Sequence, residues 1–335
     1  MRKIAIRSRL GLLTSKRGRE EEGCIRFEVQ AGHRLVVLST EVVPAYRGQG
    51  IAELMTEALL EWMRERRLSL QPLCGYTQRF VERHPEYQPY LEGYDASVAT
   101  LEAFRALASE ERAVQVRSFF KTAPGGYGAG DVFLGVPVPD IRRHIKQVGL
   151  WSEATVRSCL TSPYHEVRLC GFLVLVDWFA RSTKDQDREQ LHKLYLEHLP
   201  YCNNWDIVDN SAPTLVGKYL LDKEGEERMQ VLMSLAMSGE LWQERVAIVG
   251  TLGLVSAKEA TEALTLARHL LPHPHDLIRK AVGWMLREVG KRISRQLLTD
   301  FLDEYVQQMS SITLSYATEH LTPEERRHYQ ALRRL

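Results

Sequence analysis

Cysteine is scarce and scattered in this chain. Cys24, Cys74, Cys159, Cys170 and Cys202 are odd in number, far apart and form no Cys-x-x-Cys pair. That argues against a disulfide framework, a zinc ribbon or an iron–sulfur cluster and leaves them as reduced, buried thiols. No stretch approaches the roughly 20 apolar residues of a membrane span. The basic N-terminus, Met1 to Leu13, lacks the apolar core and small-residue cleavage site of a secretory signal, so a cytoplasmic protein is expected. An excess of one charge is missing too: 44 Lys and Arg stand against 43 Asp and Glu. After Asp95 the balance is 29 against 30, so any nucleic-acid surface must be one basic face of a nearly neutral domain. The glycine-rich run Pro124 to Gly130 has neither the Lys-Ser or Lys-Thr of a P-loop nor a strand before it, and reads as an inter-helix loop. Of the histidines, His269, His273 and His275 lie close together, but Pro272 and Pro274 break the helix that would align them, and no metal site is expected.

What is present divides in two. At 335 residues the chain is long enough for two cores, and a change of hydrophobic period near residue 93 separates a first domain, 1–93, from a second, 94–335. In the first, Arg34 to Val43 is a β-branched strand candidate. It runs through Pro44 into Arg47-Gly48-Gln49-Gly50-Ile51-Ala52, and from Ile51 to Arg66 the apolar residues take helical spacing. Strand, glycine turn and helix in that order suit a phosphate site.

Downstream of Leu101 the period is helical almost throughout, with breaks at Ser162-Pro163, Asn203-Asn204 and Pro272 to Pro274. Three segments look alike, beginning at Glu166, Trp242 and Leu277, and each sets a basic residue one turn into a helix, Arg168, Arg245 and Lys280. Their separations correspond to repeat units of roughly 35–39 residues, near those of stacked helix pairs. Such units bury their apolar stripes only against neighbours, and the stack curves to leave a concave face for a ligand.

The most unusual segment is Tyr201 to Pro213. Asn203 or Asn204 caps the helix that follows, and Trp205 and Asp209, four apart, share one face of it while Asp206 points elsewhere. An aromatic plate beside a carboxylate suits a reaction whose substrate and transition state are cationic. Trp284 on a later repeat adds a second aromatic, and Arg245 on the intervening one a bidentate phosphate donor. The residues alone leave a second reading open, in which Trp205 fills a core and Asp209 is a solvated or capping carboxylate.

Over residues 100–335 these motifs resemble the AlkD-like branch of the DNA alkylation repair family. The resemblance rests on Lys121-Thr122-Ala123-Pro124-Gly125-Gly126-Tyr127-Gly128, on Gly130 to Val136, and on Trp205-Asp206-Ile207-Val208-Asp209, which matches the family's Trp-Asp-x-x-Asp segment. It implies a mainly α protein whose C-terminal part is a HEAT-like helical repeat, an α-solenoid. It also implies a monomeric glycosylase that excises N3- and N7-alkylated purines from duplex DNA without metal or cofactor. Asp209, Trp205 and Trp284 would be its catalytic residues and Arg245 its phosphate grip, with Lys121 and Arg287 as further DNA contacts. No helix-hairpin-helix glycosylase motif is seen. A helical-repeat module that binds DNA or protein without catalysis is the rival reading.

The first domain, across residues 30–92, resembles the small YjdJ-like branch of the GCN5-related N-acetyltransferases. Arg47, Gly48, Gln49, Gly50, Ile51 and Ala52 fit that superfamily's pyrophosphate loop, and Pro72 to Tyr76 and His84 to Tyr87 fit the branch's closing motifs. The resemblance implies a small α/β domain with acetyl-CoA as cofactor, and N-acetyl transfer as a third activity to weigh. Only 33 residues precede the strand candidate, and Ser39 stands where the branch usually has His, so a truncated or inactive acetyltransferase fold is expected.

Overall fold

The structure, a computed structural model, describes residues 2–30, 34–66, 68–93, 97–149 and 151–334. The chain divides into two compact units: Met1–Leu107 with Pro137–Cys159, and Ala108–Val136 with Leu160–Leu335. The expected boundary is a single cut at residue 93, whereas this division is interleaved. Residues 134–136 are tied to the second unit because the Glu166 carboxylate accepts hydrogen bonds from the backbone N–H groups of Leu134, Gly135 and Val136 at 2.8–3.3 Å.

The first unit is built on a five-stranded sheet of order β1-β2-β3-β4-β5. Its strands are β1 (Arg2–Arg7), β2 (Leu12–Arg17), β3 (Glu20–Gln30), β4 (Arg34–Val42) and β5 (Ser69–Pro72). The first four pair antiparallel and β5 joins β4 in parallel. Three strands thus precede β4, where the sequence reading expects a truncated set. Their signal is weak because charge interrupts them: Glu20-Glu21-Glu22 opens β3, and Glu22 is buried only because Arg2 and Ser15 donate to its carboxylate at 2.6 and 2.9 Å. β4, an interior strand, reads as a continuous apolar run, Leu35-Val36-Val37, because both of its faces are covered. The helix α1 (Ile51–Glu65) lays Met55, Leu59, Leu60 and Met63 into the same core, and α2 (Gly75–Arg83) adds Phe80 and Val81. The same unit includes α3 (Ser97–Leu107), α5 (Val138–Val148) and most of α6 (Glu153–Leu160), with Phe104 of α3 edge-on to His144 of α5 at 5.1 Å.

The second unit is helical, beginning with α4 (Glu110–Phe119). One row of helices packs in sequence: α7 (His165–Arg181), α9 (Trp205–Ala212), α11 (Leu241–Ser256), α13 (Asp276–Arg292) and α15 (Ser311–Ala317). The helices α8 (Asp185–Glu197), α10 (Gly225–Ala236), α12 (Thr261–Leu270) and α14 (Arg295–Tyr305) pack against that row, and α16 (Pro323–Leu332) follows behind a Thr322/Glu325 capping box. Both α7 and α11 are apolar on nearly every side, as helices packed from all directions must be. α11 also meets its neighbour backbone to backbone, since a Cβ on Gly253 would lie 2.3 Å from the Pro213 carbonyl oxygen.

α9 is short for a physical reason. Pro213 has no N–H to give to the Asp209 carbonyl, and its ring crowds that oxygen, so the helix widens into a π turn over Pro213–Lys218. Asp209 is thus the α9 residue whose carbonyl loses its usual N–H donor four residues on.

Candidate functional site

The N-terminus of α9 is fixed twice. Asn204, fully buried, accepts from the Trp205 N–H at 2.9 Å and donates its amide to Asp131 at 3.1 Å. One turn on, Asp209 emerges on the same helix face as Trp205 and meets α11. There Nε of Arg245 donates to Oδ1 of Asp209 at 2.9 Å and Nη2 donates to Oδ2 at 2.8 Å, while Nη1 donates to the Leu277 carbonyl at 2.6 Å. The pair is nearly dry: the side chain of Arg245 is 6% exposed and that of Asp209 18%. Burial pushes the Asp209 carboxyl above its ordinary range, the charge and hydrogen bonds of Arg245 pull it back, and neighbouring Asp206 pushes it up again, for a net rise.

This geometry joins two residues that the sequence reading gives separate tasks. Where Arg245 is expected on a phosphate, the structure places its guanidinium on Asp209. Each carboxylate oxygen keeps one unused lone pair after its bond to Arg245, so Asp209 is a fixed anion with accepting capacity left on its open edge.

Trp205 is half-buried and lies on a stack of rings. It is parallel to Phe120 at 5.1 Å; Phe120 is parallel to Phe133 at 5.1 Å, and Phe133 to the His165 imidazole at 4.4 Å. Phe119, 65% exposed, stands edge-on to Trp205 at 5.7 Å. Behind the stack His165 bridges two carboxylates, Asp131 at Nδ1 and Asp206 at Nε2, each at 2.9 Å. Arg168 also donates to Asp131 and, at 3.1 Å, to Asn203.

The loop before α5 closes over this region. Tyr127 donates its hydroxyl to the Phe119 carbonyl at 3.1 Å, and its ring is edge-on to Trp242 at 6.0 Å and to His275 at 6.5 Å. Lys121, expected at DNA, is exposed, sits in the left-handed region at φ 50° and holds its ammonium 5.8 Å from the Tyr127 ring centre. Trp284 is half-buried on α13, which packs on α11. Arg287, also expected at DNA, is engaged elsewhere, paired with Glu288 at 3.0 Å and with Glu319. His273 faces Glu244 at 2.8 Å and His275 accepts from the Leu277 N–H at 3.1 Å; among the described residues no group of three or more His, Cys, Asp or Glu side chains is placed to hold a metal ion.

Sequence reasoning passed over His165, Asp131, Asp206, Glu166, Phe119, Phe120 and Tyr127 as site residues. Asp131, His165 and Asp206 belong to three different elements, so no local period links them. The one available signal was charge inside apolar runs: Glu166 and Arg168 sit in the opening turn of a helix that is otherwise apolar for most of its length.

In the first unit the glycine turn stands where expected. Arg47, Gly48, Gln49 and Gly50 are exposed, Gly48 and Gly50 adopt φ of 77° and 71°, and Ile51, buried, opens α1, followed by half-buried Ala52. Nothing lies within 4 Å of where a Cβ would be on either glycine, and no side chain caps the helix. The first N–H groups of α1 are left to meet an anion. Next to this turn, β4 runs on to Val42 after its pairing with β5 has ended at Val37, whose carbonyl then accepts from the Leu73 and Cys74 N–H groups.

The architecture is thus a two-row helical stack, with a paired Asp and Arg beside an aromatic ledge, joined to a small sheet domain with an anion-ready turn. Residues 100–321 match the family model described as DNA alkylation repair enzyme, and the chain belongs to that family. Residues 13–90 match the model of the GCN5-related N-acetyl-transferases. A solved structure described as a predicted DNA alkylation repair enzyme from Enterococcus faecalis superposes with a TM-score of 0.50 at 17% identity, covering 64% of this chain and 97% of that one. The fold is therefore shared. Protein NATD1 of Bos taurus is 45% identical over 62 residues, 18% of this chain and 54% of its own length. Its Danio rerio counterpart is 32% identical over 75 residues, 22% of this chain and 67% of its own. The chain spans about half the length of most of the curated relatives it matches.

Proposed function

We propose that the helical unit is a DNA glycosylase that excises cationic N3- and N7-alkylated purines from duplex DNA. The observation that carries this reading is the half-buried, Arg-anchored Asp209 on the same helix face as Trp205. An alkylated purine is positively charged and leaves readily: the C1′–N9 bond breaks with its electron pair going to the base, water adds to C1′, and a proton is released. Little acid catalysis is required, so the protein's task is to stabilise positive charge. An indole face attracts the cationic base. A carboxylate held in one geometry by Arg245 faces the sugar as positive charge develops there, without reorganising at that moment. Arg245 partly offsets the field of Asp209, but it also keeps the carboxyl ionised against burial.

The test is release of 7-methylguanine from a duplex carrying N7-methylguanine. Base release by the intact chain, lost in Asp209→Asn with DNA affinity retained, is the expected result. Binding without release would make the unit a scaffold and remove the chemistry.

A second reading concerns the sheet domain. We propose that it binds acetyl-CoA, whose thioester would supply an acetyl group, with the backbone of Gly48 to Ala52 on the pyrophosphate. The open space at both glycines and the uncapped start of α1 support the fit, while Glu53 in the first turn opposes it by charge. Calorimetric acetyl-CoA binding by the full chain, abolished in Gly50→Glu, is the expected outcome; no heat from the parent would refute it.

A further inference from the structure

We infer that His165, held as a cation between Asp131 and Asp206, is the positioning residue that locks the loop carrying Lys121 and Tyr127 to the helix carrying Trp205 and Asp209. The inference rests on the glycosylase reading for its functional meaning and on geometry alone for the lock.

Both ring nitrogens of His165 lie 2.9 Å from carboxylate oxygens. An ionised carboxylate only accepts, so both nitrogens must carry a proton. The imidazole is 2% exposed, and the Asp131 and Asp206 side chains are 3% and 12% exposed, so water does not substitute for either bond. The two acceptors lie on different elements. Asp131 ends the glycine loop and also binds Asn204 and Arg168; Asp206 follows Trp205 directly in α9 and accepts from the Ile207 N–H. One cation therefore ties together α7, the loop and α9.

The charged groups around the ring are Asp131 from the loop, Asp206 from α9 and Arg168 from α7 itself; Phe120 and Phe133 supply faces without charge. The site thus has two carboxylates and, with His165 protonated, two cations. Deprotonation leaves one buried carboxylate facing an unprotonated nitrogen, which drives the loop and α9 apart. Burial pushes the imidazole pKa down, but the hydrogen bonds and charges of Asp131 and Asp206 outweigh it and set the pKa to about 9. The ring stack transmits the change, since His165 backs Phe133 and Phe120, on which Trp205 rests. A displacement of about 1 Å at a catalytic group is enough to lower rates on the order of 100-fold.

The experiment uses the full chain. Nitrogen-15 histidine spectra at pH 7.5 should show one buried imidazole protonated at both nitrogens and absent from His165→Gln. A step in tryptophan emission as pH rises through about 9 should be lost in His165→Gln and in Trp205→Phe, with far-UV circular dichroism unchanged in the parent. Base release should fall 10- to 100-fold across the same step, in kcat rather than KM. Because His165→Gln leaves Asp206 uncompensated, His165→Gln/Asp206→Asn serves as the folded control: it should regain stability yet show neither the step nor the parent's kcat. A neutral imidazole at pH 7.5, or a step that persists without His165, overturns the inference. If the emission step is present but the parent releases no base at any pH, the lock stands and the glycosylase reading fails.

Discussion

Replacing Arg245 by Met tests the ion pair at the centre of the site. Met matches the length of the side chain's apolar stem but leaves Asp209 without its cation and takes the side-chain donor from the Leu277 carbonyl. Breaking a buried pair from one side costs about 3–5 kcal/mol; because Asp209 keeps 18% of its side-chain surface, the lower end, about 3 kcal/mol, is expected. The loss should depend on pH in a definite direction. Asp209 already has its pKa raised in the folded state by burial and by Asp206, and removing Arg245 removes the opposing influence, so the pKa rises further. Between the unfolded and folded values the native state binds the extra proton, so stability falls as pH rises across that window, and acidification relieves the variant. Urea unfolding of the helical unit, followed by far-UV circular dichroism, should therefore show a deficit at pH 7 that shrinks toward pH 5. The double variant Arg245→Met/Asp209→Asn, carrying no buried charge at this site, should recover most of the loss. The acidic limb of base release should also move to higher pH in Arg245→Met. An Arg245→Met protein as stable as the parent at pH 7, or equally destabilised at both pH values, would refute the argument that burial and Arg245 oppose one another at Asp209.

Three further outcomes follow from the packing. His165 is held protonated from its ordinary 6.5 up to about 9, an interval worth about 3 kcal/mol. That stabilisation should be complete below pH 6.5 and lost as pH rises through about 9, and pH-dependent urea midpoints should show it in the parent but not in His165→Gln/Asp206→Asn. Gly253→Ala puts a methyl 2.3 Å from the Pro213 carbonyl oxygen and 2.7 Å from Gly217, contacts that only backbone movement relieves; thermal unfolding should show a loss of about 3 kcal/mol. Glu166→Gln weakens a carboxylate that gathers three backbone N–H groups of residues 134–136 and should cost roughly 1.5–3 kcal/mol, with faster amide exchange at Leu134 and Gly135.

In the first unit the strand and helix candidates at Arg34–Val43 and Ile51–Arg66 coincide with β4 and α1 to within a residue, because each carries its burial as a local apolar period. β1 to β3 were not legible, since their inward residues alternate with Lys, Arg and Glu and one inward position, Glu22, is itself charged. At the site, the shared face of Trp205 and Asp209 follows from helical geometry. That Arg245 meets Asp209 rather than solvent depends on how closely α9 and α11 approach, which glycines at 217, 250 and 253 set and no local spacing reveals. The His165 network is nonlocal in the same sense: Asp131, His165 and Asp206 meet only through the packing of a loop on two helices.

The π turn after α9 has a consequence best expressed as an angle. An α-helix advances about 100° per residue, so a turn that accommodates one additional residue resets the azimuth of everything before it relative to everything after. Leu215, Val216 and Leu220 downstream are buried in the stack, which anchors that side of the reset. The heading of Trp205 and Asp209 is thus set by the residue count between them and this anchor, in the manner of a key cut to one length. Removing a single residue from Pro213–Lys218 would turn α9 by roughly 100° against that anchor, carrying the aromatic and the carboxylate out of reach of Arg245 and Ile207 and Val208 out of the core.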